Sequence, residues 1–293
     1  MRLGPFDSGD IDVRSSGGGG GRMGRAGGIG CGTLVIALIG AVVFGLDPMQ
    51  TIGMVESVQQ QGAPAGAGGS SSDMSEDEVC ASSPYATEAC GALASLNATW
   101  AATFDRNRIG FERPVLDLYR NGQVSTEGCG SASSAVGPFY CPADKGIYID
   151  TSFYDQMARQ MGAGGDFARR YVMAHEYGHH IQYMTGIAEQ VRSAQQSDAR
   201  SANQLQVRME LQADCYAGVW GHHAGAMNQL EPGDVAEALA AATAIGDDRL
   251  QKKTEGRVVP ESFTHGSSEQ RVRWFKRGLD SGRPKDCDTR GAL

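Results

Sequence analysis

The sequence has no surplus of positive charge. Lys and Arg number 26 against 34 Asp and Glu, a formal net charge of −8. A nucleic-acid binder usually carries a basic patch, so nucleic acid is not an expected partner. None of the seven cysteines forms a C-x-x-C pair, which excludes the zinc and dithiol redox motifs built on that spacing. No internal repeat is present, which excludes solenoid and propeller arrays.

Glycine, by contrast, is abundant: 41 residues, many of them in the first 70. Residues 1–28 are polar and Gly-rich, a composition that buries too little apolar surface to offset ordering entropy. They are expected to form a disordered cytoplasmic tail. The run Gly17 to Gly21 lacks a preceding strand and a following Lys-Ser/Thr, so it is not a phosphate loop. Residues 29–46 are uninterrupted by charge, with Arg22 and Arg25 before them and Asp47 after. That length lies at the short end for a transmembrane helix. Positive flanks on the inner side place the remainder of the chain outside. A cleaved signal peptide and a buried core helix are the alternatives. The first lacks an evident small-x-small site, and the second is hard to bury beside a Gly-rich tail. Residues 47–76 read as a flexible linker, and 77–293 as the folded domain. The expected location is therefore the cell membrane, single-pass, with the domain on the extracytoplasmic side.

An outside location favours disulfides. Setting Cys31 aside leaves six cysteines, which allow 15 connectivities. Proximity suggests Cys80–Cys90 and Cys129–Cys141, leaving Cys215–Cys287. Free buried thiols are the alternative for a cytosolic protein.

Within the domain, apolar spacing predicts helices over 87–107, 152–161, 166–184, 202–226, 232–246 and 267–279. Strands are predicted over 115–119, 137–141 and 146–150, with a turn at Asn121-Gly122. Few strands followed by many helices indicate a mainly helical α+β domain with a small sheet. Asp166 is expected to cap the helix that follows it.

That helix carries His175-Glu-Tyr-Gly-His179. Residues four apart share a helix face, so two imidazoles can address one ion. Glu176 flanks the first histidine, where a base can take a proton from water beside a metal. Hydrolytic zinc needs a third protein ligand and an open position. Met209-Glu-Leu-Gln-Ala-Asp-Cys215 supplies Glu210 as that ligand, with His222 or His223 as competitors. Asp214, four residues on, is placed to accept the far N–H of a ligand histidine. His265, in a loop before a helix, is the candidate for stabilising an oxyanion; a structural loop histidine is the alternative. Arg271 and Arg273 are expected to pair with Asp247 or Asp248 as scaffold, and Trp274 and Phe275 to lie in the core. Gly178 inside the helix costs about 1 kcal/mol relative to Ala, which a close packing contact would explain.

These residues resemble the gluzincin type of metallopeptidase. More narrowly, the chain is similar to a bacterial family of neutral zinc metallopeptidases. The resemblance is carried by Ser133-Ser-Ala-Val-Gly-Pro-Phe-Tyr-Cys-Pro142, His175-Glu-Tyr-Gly-His-His-Ile-Gln182, Glu210-Leu-Gln-Ala-Asp-Cys215, Ala244-Ile-Gly-Asp-Asp-Arg249 and Ser262 to Trp274. It implies a zincin-like fold, Zn2+ as cofactor and a peptide or protein substrate. It also implies that strand 146–150 is an edge strand that pairs with the substrate. The Cys80–Cys90 pair is an addition to the family pattern. Two rivals are a membrane-anchored binding or assembly protein with an inactive structural zinc site, and a deformylase-type amidohydrolase using Cys129 or Cys141 as a ligand.

Overall fold

The computed structural model describes residues 1–16, 74–120 and 122–290. The expected membrane segment 29–46, most of the linker 47–76 and Asn121 lie outside the described residues. None of the described helices is long and apolar enough to cross a membrane.

The elements run β1 (Val13–Ser15), α1 (Glu76–Ala81), α2 (Pro84–Arg106), β2 (Val115–Tyr119), β3 (Gln123–Ser125), β4 (Ser131–Ser133), β5 (Phe139–Cys141) and β6 (Gly146–Asp150). They continue with α3 (Thr151–Met161), α4 (Asp166–Met184), α5 (Ile187–Ser197), α6 (Ala202–Ala226), α7 (Asp234–Ala244), α8 (Asp247–Glu255) and α9 (Ser268–Ser281). The domain is mainly helical α+β, as expected. A four-stranded sheet has the order β1-β2-β6-β5, with β1, β2 and β6 parallel and β5 antiparallel to β6; β3 and β4 form a separate pair.

Helix α4 runs through the middle of the molecule, flanked by α2, α6, α7 and the sheet. Phe167, Tyr171, Ala174, Tyr177 and Ile181 bury its sides. Trp100, Trp220, Leu93, Leu96, Leu116, Ile147 and Phe275 fill the surrounding core. Trp274 and Phe275 are buried, in line with the sequence. The three disulfides are Cys80–Cys90, Cys129–Cys141 and Cys215–Cys287.

Four expectations need correction. First, residues 1–16 are not a disordered tail. Strand β1 pairs in register with β2, Arg14 opposite Asp117, and the Arg14 Nε donates to the Asp117 carboxylate at 2.7 Å. Ile11 is buried, and the Met1 amine lies among Asp166, Glu231 and Asp234. The polar composition concealed a few apolar anchors that the domain buries. Second, β6 is not an edge strand: it lies between β2 and β5, and β5 ends the sheet. Third, Asp166 is the first helical residue and not the cap of α4. Gly165 holds the cap position without a side chain to offer, and Glu237 of α7 accepts the Phe167 N–H at 2.9 Å instead. Fourth, α1, α5, α8 and the β3–β4 pair were not anticipated.

Candidate metal centre

His175 and His179 stand one turn apart on α4, with Glu210 facing them from α6. Gly178 permits this approach. A Cβ there would lie 2.9 Å from the Ala213 Cα and 3.1 Å from its Cβ, closer than side chains tolerate. The close contact that the sequence required is therefore between α4 and α6, beside the site.

Ligand atoms of His175, His179 and Glu210 all lie within 4.8 Å of one another. Glu210 Oε2 is 3.0 Å from His175 Nε2 and 3.6 Å from His179 Nε2. A tetrahedral zinc ion with N and O ligands at about 2.0–2.1 Å separates its ligands by about 3.3 Å, and the two distances bracket that value. The far ring nitrogens are held. His175 Nδ1 donates to Asp214 Oδ1 at 2.8 Å, and His179 Nδ1 donates to Gln182 Oε1 at 2.8 Å. Both rings are thereby turned so that Nε2 faces one point. Gln182 is fixed in turn by donating to the Met209 carbonyl and to Gln212 Oε1. The second Glu210 oxygen accepts from Gln206. The donor set and its spacing fit zinc.

Other histidines are committed elsewhere. His180 donates to the Glu112 carbonyl and accepts from the Tyr140 hydroxyl; burial lowers its pKa to about 4, so it stays neutral. His222 donates to the Leu279 carbonyl, and His223 belongs to no metal cluster among the described residues. Neither is a third ligand.

Glu176 is 8% exposed, and no described residue hydrogen-bonds its carboxylate. Burial pushes its pKa up, against the opposing pull of His175 and His179. That is the direction that makes a carboxylate a better base. Burial acts on Glu210 in the same sense, but the charge of His179 and hydrogen bonds from both histidines hold it well below the ordinary carboxylate range.

His265 is buried close enough to Glu210 to lower its pKa. Its Nδ1 donates to Asp247 Oδ1 at 3.2 Å, while Asp247 Oδ2 accepts the backbone N–H groups of Thr264, His265 and Gly266. Its Nε2 is buried with no partner among the described residues.

The arginine expectation fails. Arg271 pairs with Asp214, not Asp247 or Asp248, and Arg273 is exposed. Asp247 is used by the His265 loop, and Asp248 accepts from Ser268. Sequence reasoning also gave no role to Gln182 or Tyr171. Gln182 was detectable by its spacing, one turn after His179; Arg271 had no local signal, since it meets Asp214 across 57 residues.

A family profile described as "Putative neutral zinc metallopeptidase" matches residues 6–290. The chain belongs to this family. Its curated relatives include "Uncharacterized protein YpfJ" of Escherichia coli K12, 54% identical over 200 residues, covering 68% of this chain and 69% of that protein. "Uncharacterized protein Rv2575" of Mycobacterium tuberculosis H37Rv is 48% identical over 206 residues, covering 67% of each. No solved structure matches the chain.

Proposed function

We propose that this family member is a zinc-dependent endopeptidase. One observation carries the reading: two imidazoles and a carboxylate converge on one point, with Glu176 beside them and no fourth protein ligand among the described residues. A zinc ion held there would supply Lewis acidity to water and to a peptide carbonyl. Glu176 takes a proton from the attacking water and returns it to the leaving amine. His265, held through Nδ1 by Asp247, offers its unpartnered Nε2 to the developing oxyanion. Strand β5, at the end of the sheet and against α4, is the strand on which an extended substrate would align.

The structural-zinc rival needs a fourth protein ligand, and its candidates His180 and His222 are already hydrogen-bonded to carbonyls. The deformylase-type rival needs a thiolate, whereas Cys129 and Cys141 are joined to each other. Three disulfides favour an oxidising compartment. We place the domain outside the cytosol, with residues 1–16 on the same side as the rest.

The test is Glu176→Gln. The variant should retain one zinc per chain and lose casein or peptide-library cleavage by at least about 100-fold. Undiminished cleavage would remove Glu176 from the mechanism and the reading with it.

A further inference from the structure

Arg271 is 2% exposed and Asp214 fully buried, so the pair is not a surface contact of small consequence. The Arg271 Nε donates to Asp214 Oδ2 and its Nη2 to Oδ1, both at 2.9 Å, a two-pronged grip that fixes the plane of the carboxylate. Tyr171 adds its hydroxyl to Oδ1 at 2.5 Å. The remaining donor on Oδ1 is His175 Nδ1 at 2.8 Å. The Arg271 Nη2 also stands 3.3 Å from His175 Nδ1. Were Nδ1 unprotonated, it would face the nearer carboxylate oxygen with a lone pair, so Nδ1 carries a proton and Nε2 is the nitrogen left to face Glu210 and a metal.

The helix packing is built to deliver this arginine. Helices α6 and α9 meet backbone to backbone. A Cβ on Gly218 would lie 2.0 Å from the Phe275 carbonyl oxygen, and one on Gly278 would lie 1.9 Å from that of Cys215. Asp214 is one helical turn before Gly218, and Arg271 two turns before Gly278. This close approach sets Arg271 of α9 against Asp214 of α6 and within 3.3 Å of His175 Nδ1.

We propose that Arg271 is a positioning residue for the metal: by clamping Asp214 it orients the His175 ring and keeps Nε2 turned to the ion. This rests on the zinc peptidase reading and adds to it a third layer, from guanidinium to carboxylate to imidazole.

The experiment compares Arg271→Lys and Arg271→Met with Asp214→Asn, the double variant Asp214→Asn/Arg271→Met, and the neighbouring surface change Arg273→Ala. Zinc dissociation constants are read by competition with a chromophoric chelator, and ligand geometry from the visible spectrum of the Co2+-loaded protein. Arg271→Lys keeps the charge and loses the fork. It should weaken zinc about 10- to 100-fold and alter the Co2+ spectrum, and Arg273→Ala should change neither. Because Arg271 acts through Asp214, the double variant should be no weaker than Asp214→Asn alone. Unchanged zinc affinity and spectrum in folded Arg271→Lys would overturn the proposal, as would strictly additive losses. Arg271→Met may be replaced by Arg271→Lys throughout if only the latter folds. If the wild type binds zinc, responds to Arg271 in this way and cleaves no peptide, the peptidase reading fails and the positioning role stands.

Discussion

His175 and His179 turn the same nitrogen, Nε2, toward Glu210 but are held by different groups. His175 leans on a buried carboxylate and His179 on the Gln182 amide oxygen. An amide orients a ring without supplying charge, so losing it costs geometry alone. Gln182→Ala should weaken zinc about 10-fold and leave the fold intact, read by chelator competition and circular dichroism. Protons compete for the same nitrogens. Burial alone would lower the His175 pKa, but Asp214 and Glu210 outweigh it and raise the metal-free value to about 10. A raised pKa stabilises the metal-free fold below the unfolded value near 6.5, and that contribution is lost as pH rises toward 10. Zinc uptake has the opposite slope, since a proton must leave first. Apparent zinc affinity should rise by up to about tenfold per pH unit for each proton displaced, with proton release visible in calorimetry in two buffers. A pH-independent affinity would contradict the assigned ligands. His265 acts elsewhere. His265→Ala should leave zinc bound and lower kcat about 100-fold, the usual loss for one oxyanion donor.

At the scale of elements, the site depends on how close three helices approach. Gly178 sets α4 against Ala213 of α6, and Gly218 and Gly278 set α6 against α9. Gly178→Ala would improve local helix propensity, yet its methyl meets the Ala213 backbone. Overpacking of this kind costs about 1–3 kcal/mol, more than the roughly 1 kcal/mol that alanine gains. The variant should melt lower than the wild type and bind zinc more weakly, because the same movement separates His179 from Glu210. A rise in Tm would show that the helices have room to spare. The Cys215–Cys287 bond works beside them. It ties α6, one residue past Asp214, to the C-terminal end of the chain, where Gln212 also donates to the Cys287 carbonyl.

For the whole molecule, β1 joins the start of the chain to the sheet across residues 17–73. Residues 1–16 and the domain are proposed to share a compartment. Gly4→Cys and Glu269→Cys both place a thiol at an exposed position. A membrane-impermeant maleimide applied to intact cells should label both or neither, and labelling of one alone would separate β1 from β2. Removing residues 1–16 should lower Tm, since the Ile11 and Val13 burial and the Arg14–Asp117 pair go with them.

What the sequence determined by itself is what repeats within a turn or two of helix. The spacing of His175, Glu176 and His179 defines one face of α4, and Glu210 with Asp214 one face of α6, so both ligand helices were legible to the residue. Their bounds, Asp166–Met184 and Ala202–Ala226, match the periodicity. Only the tertiary structure decided which partner each buried charge found. Arg271 chose Asp214 over the nearer acids Asp247 and Asp248, which the His265 loop and the start of α9 had taken up. It decided, too, that β6 lies inside the sheet and that a polar N-terminus supplies a strand. Local sequence encodes faces and turns; which faces meet depends on burying apolar surface and pairing every buried charge across the whole chain.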